Sequence, residues 1–218
     1  NDNIAIGHQT MDANTAGGTK NIALGNYALD ALTSGDSNIG IGYNALTANT
    51  TGIKNSAVGE NTLATNTTGS GNVSVGHNAL YSNTTANDNV ALGKDSLYTN
   101  TTGANNTAVG KDAMYNNTAS DNTAVGKGAL QANTTGTYNT AVGKSALTAN
   151  TTANGNTALG VSAMIGNTTG ANNIAVGYGA LYTNTTGTRN VVIGVEAMDD
   201  SDTESDNIAI GYQAMTTN

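Results

Sequence analysis

The chain has 218 residues without a single Phe, Trp, Pro or Cys, and only 35 of them are Leu, Ile or Val, too few to fill a conventional globular core. Its net charge of −8, with seven Lys and Arg, excludes the basic footprint that nucleic acid or an anionic membrane surface requires, and no apolar run is long enough to insert into a membrane as a helix. Only 10% of the residues are charged, which separates the composition from that of disordered chains.

Repetition organises the chain. The string Asn, apolar or Thr, small, apolar, Gly ends at Gly7, Gly25, Gly42, Gly59, Gly76, Gly93, Gly110, Gly126, Gly143, Gly160, Gly177, Gly194 and Gly211, a spacing of 17 residues with one 18 at the start and one 16 after Gly110. A unit this short buries no hydrophobic face alone, so it must stack on its neighbours. Residues 1–218 therefore read as one array of thirteen units: an all-β, repetitive parallel β-solenoid or β-roll of about thirteen coils.

Within each unit the first element is a short strand. In Asn106-Thr107-Ala108-Val109-Gly110, Thr107 and Val109 share one face while Asn106 and Ala108 share the other. The Val109 column holds Val, Ile or Leu in every unit, which predicts a buried face. The Ala108 column is nearly all Ala, with Gly40, Ser74 and Val192 as exceptions, and its small residues predict close approach of a second backbone. An Ala-Leu or Ala-Met segment follows. Gly126, Ala129, Leu130 and Asn133 lie at offsets of zero, three, four and seven, the spacing of one helical face, so a short helical turn per coil fits; a second strand with Leu130 inward fits the same residues. Each unit then closes with a turn, usually Asn-Thr-Thr-Gly.

Two or three apolar side chains per coil, such as Val142 and Leu147, each stabilise by about 1.5 to 3 kcal/mol, below the cost of ordering 17 residues at about 1 to 2 kcal/mol each. Two devices are expected to close that gap. The residue opening every strand is Asn: Asn3, Asn21, Asn38, Asn55, Asn72, Asn89, Asn106, Asn122, Asn139, Asn156, Asn173, Asn190 and Asn207. Turn chemistry alone also accepts Asp, Ser or Gly, and none occurs there, so an asparagine ladder is expected. The second device is self-association, as a parallel homotrimer that covers both strand faces. Coils of ordinary sequence at both termini, around Gly7 and Gly211, point to end-to-end contact or continuation of the array.

The unit Asn139-Thr140-Ala141-Val142-Gly143-Lys144-Ser145-Ala146-Leu147-Thr148-Ala149-Asn150-Thr151-Thr152 resembles repeats of phage tail-fibre proteins and related bacterial surface proteins. The string Asn207-Ile208-Ala209-Ile210-Gly211 is similar to the head repeat of trimeric autotransporter adhesins, which form a parallel β-roll as a trimer; here the unit is longer and carries the extra Ala-Leu segment. The resemblance implies a structural fibre shaft or adhesive stalk, extracellular, at a cell surface or on a virion. Its partners would be further copies of itself and a cell-surface receptor or glycan.

Taken along the chain, the polar residues show no catalytic constellation, so no enzyme and no cofactor are expected. His8 and His77 occupy the same repeat position four coils apart, too far to share a metal. Thr pairs such as Thr50-Thr51 and Thr134-Thr135 form a regular hydroxyl array, which makes an ice-binding or carbohydrate-binding solenoid the alternative class; local turn bonding explains the same pairs. Asn49, Asn66, Asn83, Asn100, Asn133, Asn150, Asn167 and Asn184 open Asn-Thr-Thr triplets of the N-glycosylation pattern, which recur because the turn recurs. Lys94, Lys111, Lys127 and Lys144 form a column, as do Tyr81, Tyr98, Tyr115 and Tyr182, the latter suited to sugar stacking or to a subunit seam. The acidic segment 199–206 replaces one turn, and Asp200, Asp202, Glu204 and Asp206 are its candidate cation ligands, against the simpler reading of a solvated loop.

Overall fold

The computed structural model describes residues 2–14 and 17–216; the portions of the expected array at residues 1, 15, 16, 217 and 218 lie outside them. The chain forms two compact units, Asn1–Asn106 and Thr107–Asn218. The first contains β1 (Ile4–Ile6), β2 (Ile22–Leu24), β3 (Ile39–Ile41), β4 (Ser56–Val58), β5 (Val73–Val75) and β6 (Val90–Leu92). The second contains β7 (Thr107–Val109), β8 (Thr123–Val125), β9 (Thr140–Val142), β10 (Thr157–Leu159), β11 (Ile174–Val176), β12 (Val191–Ile193) and β13 (Ile208–Ile210). In each unit every strand pairs in parallel with its sequence neighbour, in strict repeat register: Val73, Ser74 and Val75 lie against Val90, Ala91 and Leu92, and Thr140, Ala141 and Val142 against Thr157, Ala158 and Leu159. Each unit is therefore a parallel β-solenoid, as the 17-residue period predicts.

The outline of a coil is set by where its backbone turns left-handed. In the coil that starts at Gly143, the turns fall at Gly143 (φ 139°), Ser145 (φ 58°), Leu147 (φ 51°) and Gly155 (φ 69°), the last just before the ladder residue Asn156. The same three non-strand positions are left-handed in other coils of both units, as at Ser37, Asn44 and Leu46 or Asn172, Ser162 and Met164. A leucine with positive φ is unusual and costs roughly 1 to 3 kcal/mol. Its full burial at Leu46, Leu80, Leu130, Leu147 and Leu181 offsets that strain.

This geometry decides what the Ala-Leu segment is. No helix occurs among the described residues, and the segment is neither a helical turn nor a strand but a pair of tight turns. Ala146 N–H bonds back to Gly143 O (3.2 Å) and Asn150 N–H to Leu147 O (3.2 Å), whereas Leu147 N–H reaches Ala163 O of the following coil (3.0 Å). Alternating left- and right-handed residues cannot continue a right-handed helix, so the helical spacing of Gly126, Ala129, Leu130 and Asn133 is incidental. Leu130 does point inward, as the strand alternative required.

Backbone groups all round the coil bond to its neighbours. Gly143 N–H donates to Val125 O (2.8 Å) and Ser145 N–H to Lys127 O (2.9 Å) in the preceding coil, while Thr151 N–H donates to Thr168 O (3.0 Å) in the following one. Coil-to-coil bonding is thus not confined to the three strand residues, which supplies stabilisation that the sparse core lacks.

The strand faces are the reverse of what the apolar pattern predicts. The small column lies inside: Ala23, Gly40, Ala57, Ser74 and Ala91 in the first unit and Ala108, Ala124, Ala141, Ala158, Ala175, Val192 and Ala209 in the second are buried. The uniform Val, Ile and Leu column faces outward, with Ile6 60% and Leu159 49% exposed. Width explains the inversion. A Cβ built on Gly40 would sit 3.3 Å from Leu29 Cγ, so the inward strand residue already touches the leucine column and leaves little room for a larger side chain. The strand-ending glycines follow from the same closeness: a Cβ on Gly59 would meet Gly76 O at 2.7 Å.

Candidate functional site on the outer face of the strands

With the small residues inside, each strand presents its first and third side chains outward. In the first unit Ile4, Ile6, Leu24, Val58, Val73 and Val75 are exposed, and in the second Val125, Leu159, Ile174, Ile193, Ile208 and Ile210. Because every strand pairs in register within each unit, the third side chains form a continuous column of Val, Ile and Leu on a short parallel sheet, while the first form a mixed column, broken by Ser56 in the first unit and by Thr107, Thr123, Thr140 and Thr157 in the second, where Val161 and Val195 just after the strand glycines add apolar surface. Contiguous exposed apolar surface of this kind marks a place where something docks.

The scaffold under this face is held by the expected asparagine ladder. Asn38 N–H donates to Asn21 Oδ1 (2.8 Å), Asn38 Nδ2 to the same oxygen (3.2 Å) and to Gly52 O (2.8 Å). In the second unit Asn139 Nδ2 donates to Ala153 O (2.8 Å) while its Oδ1 accepts from Asn156 N–H (3.0 Å). The ladder side chains are buried from Asn21 to Asn106 in the first unit and from Asn122 to Asn190 in the second, and Asn3 and Asn207 are less covered.

A second ladder escaped the sequence reading. Asn66 Nδ2 donates to Asn49 Oδ1 (2.8 Å) and Asn83 Nδ2 to Asn66 Oδ1 (2.7 Å) in the first unit; Asn150 to Asn133 (2.8 Å), Asn167 to Asn150 (3.0 Å) and Asn184 to Asn167 (2.8 Å) repeat the contact in the second. These are residues of the Asn-Thr-Thr triplets. All are fully buried, so in this fold their amides are taken by the ladder and are closed to a glycan. The signal was present in the recurrence of Asn at this position, interrupted by Leu32 and Ser201. At Ser201 the ladder stops, and Asn184 Oδ1 is left buried without a hydrogen-bond partner among the described residues.

The threonine pairs divide their work. Thr50 Oγ1 donates to Thr67 O (3.0 Å) and Thr134 Oγ1 to Thr151 O (2.9 Å), so the first hydroxyl of each pair serves the turn, while the second, as at Thr51 and Thr135, is exposed. His8 and His77 are both exposed: His8 meets the Tyr27 ring edge-on at 5.6 Å, and His77 Nδ1 lies 4.0 Å from Asp95 Oδ1. Lys94 pairs with Asp95 (3.7 Å) and Lys111 with Asp112 (3.5 Å). Tyr81 and Tyr98 stack with their ring planes 9° apart at 5.3 Å.

The four acids proposed to converge on a cation are held by separate partners or lie in solvent. Asp202 Oδ1 accepts from Thr185 Oγ1 (2.7 Å), Glu204 Oε2 from Ser201 Oγ (2.5 Å) and Thr203 N–H (3.0 Å), and Asp206 takes a bidentate pair from Arg189 (2.6 and 2.7 Å), leaving Asp200 exposed. The Ser201 hydroxyl lowers the pKa of Glu204, the Arg189 guanidinium lowers that of Asp206, and the same pair raises that of Arg189. No group of three potential metal-binding side chains occurs among the described residues. No described helix is long and apolar enough to cross a membrane. Comparison with protein-family models, with curated proteins and with solved structures returned no match to this chain.

Proposed function

We propose that this chain is a structural shaft or adhesive stalk, part of a viral tail fibre or of an extracellular surface filament, whose copies pack side by side as a parallel homotrimer. The observation that carries this reading is the unbroken column of Val, Ile and Leu that the third strand residues present on the outer face of both units. A monomer gains nothing from such uniform Val, Ile and Leu, since the coil interior is filled by alanine and leucine. Three parallel copies related by a rotation axis bring these columns together and bury them, and burial of each such side chain contributes about 1.5 to 3 kcal/mol. The resemblance to tail-fibre and adhesin-head repeats supports the same arrangement, and the absence of a catalytic constellation in the sequence fits a mechanical role.

Light scattering on the purified chain tests it. The expected mass is three times the 21.7 kDa of one chain. Val125→Lys combined with Leu159→Lys places two charges per copy on the outer face and leaves the coil interior untouched, so it is expected to give a folded monomer. A folded wild type that scatters as a monomer overturns the proposal.

A further inference from the structure

In the second unit a hollow of about 260 Å³ opens between successive coils, lined by Tyr178, Gly179, Tyr182, Glu196 and Asp199. Glu196 follows Gly179, and Asp199 follows Tyr182, by one 17-residue repeat, so in-register stacking brings two carboxylates against two tyrosines. Both rings are open to solvent, Tyr178 at 56% and Tyr182 at 44%. Gly179 makes the space: a Cβ there would lie 3.7 Å from Glu196 Cγ and 3.8 Å from Tyr182 Cδ2, and the same repeat position carries Ser145, Ser162 and Glu196 in neighbouring coils.

The charge within the hollow is unbalanced. Glu196 Oε2 accepts from Gln213 Nε2 (3.0 Å), but no Lys or Arg lines the space. Asp199 is fixed by its backbone, whose carbonyl accepts from Thr183 N–H (3.1 Å) and Thr183 Oγ1 (2.6 Å). Its side-chain Oδ1 is buried and has no hydrogen-bond partner among the described residues. The other oxygen accepts no hydrogen bond among the described residues either, so the carboxylate has no donor of its own and favours a ligand that brings a charged one to its open oxygen. Tyrosine faces attract cations and also take the apolar face of a sugar ring. The volume exceeds what a bare ammonium fills and accommodates a single six-membered ring.

We propose that this hollow is a binding site for an amino-sugar unit, with the sugar ring against Tyr178 and Tyr182 and the ammonium group donating to Asp199 and Glu196. Tyr178 shares its column with Val161 and Val195 at the margin of the packing face, so the titration is run on the Val125→Lys, Leu159→Lys chain as well as on the wild type, and binding there is read apart from side-by-side packing.

The test is a titration of the wild-type chain, followed by NMR, with glucosamine, glucose and n-butylamine in parallel. Glucosamine is expected to bind in the millimolar range, and glucose, which lacks the charge, and butylamine, which lacks the ring, each roughly fivefold or more weakly. Asp199→Asn is expected to weaken glucosamine by a similar factor, and Gly179→Gln, which fills the hollow, to abolish its binding while circular dichroism stays that of the wild type. Equal affinity for glucose overturns the role of the carboxylates, equal affinity for butylamine overturns the sugar assignment, and no saturable binding of glucosamine overturns the site. These comparisons on the wild type decide the matter even where a variant fails to fold.

Discussion

Replacing Asn139 by alanine removes one rung of the strand ladder, and its cost can be worked out bond by bond. The side chain makes three contacts: Nδ2 to Ala153 O at 2.8 Å, Nδ2 to Asn122 Oδ1 at 3.3 Å, and Oδ1 from Asn156 N–H at 3.0 Å. Ala153 O keeps a second donor, Asn150 Nδ2 at 3.2 Å, and Asn122 Oδ1 keeps the Asn139 backbone N–H at 3.0 Å. The Asn156 N–H, which is buried, loses its acceptor. One orphaned buried donor at about 1 to 3 kcal/mol, with two weakened contacts besides, gives an expected loss of about 2 to 4 kcal/mol. Urea unfolding followed by circular dichroism measures it, and a loss below about 1 kcal/mol refutes the ladder as a source of stability. Asn139→Asp adds a sign test. The aspartate keeps the acceptor for Asn156 N–H but turns a carboxylate oxygen toward Ala153 O, so burial raises its folded pKa above the unfolded value near 3.9. Its protonated form donates to Ala153 O as the amide does. The stability of this variant is therefore present below the unfolded pKa and lost as pH rises through the raised folded one. A variant no more stable at pH 3 than at pH 7, relative to wild type, contradicts the reasoning.

Gly126→Ala places a Cβ 2.6 Å from the Gly143 carbonyl carbon, at a φ of 139°, and is expected to leave the chain largely unfolded; Gly128→Ala, at a φ of 66° but with Gln131 Oε1 at 3.5 Å as its nearest atom and serine at this position in other coils, is expected to keep the fold and cost about 1 to 2 kcal/mol of backbone strain by the same assay. Asp206, whose pKa is lowered from 3.8 by its pair with Arg189, contributes stability that is present above that ordinary value and lost as pH falls through the lowered one. The melting temperature of the wild type should thus exceed that of Asp206→Asn by a small margin at pH 7, and the gap should close below pH 3 and in high salt. A gap that widens in acid contradicts the assignment.

The strands and their register were legible because a 17-residue identity leaves few ways to stack, and the strand ladder because Asn3 through Asn207 admit no substitute. Face assignment was not. Alternation separates two faces without saying which is inside, and the more hydrophobic one, ending in residues such as Val109, was assigned to the core. The interior holds alanine there because Leu29 and its equivalents reach across from the turns and fill it. Those leucines were misread as well, since the spacing of Ala129, Leu130 and Asn133 suits a helix, and nothing in a leucine announces a positive φ. The second ladder lay hidden in a familiar triplet, where Asn49 or Asn133 reads equally well as a turn residue. As for the hollow beside Gly179, a glycine in a variable column carries no signal until Tyr182, Glu196 and Asp199 are set around it.

The coil between Gly110 and Gly126 is one residue short, and the place of the loss is visible: Asn117 Nδ2 reaches Ala119 O, two residues on, where Asn133 reaches Gly136 O, three residues on. The strand that follows, β8, still pairs in register with β9. The first coil, one residue long between Gly7 and Gly25, changes at the same place, where Asn14 Nδ2 reaches Gly18 O four residues on, so this turn is the joint where single-residue indels are absorbed. Everywhere else the backbone is committed to its neighbours on both sides, so gene variants should lengthen or shorten the protein by whole duplicated or deleted motifs, making size a quantity that evolution can adjust in fixed steps without redesigning any one of them.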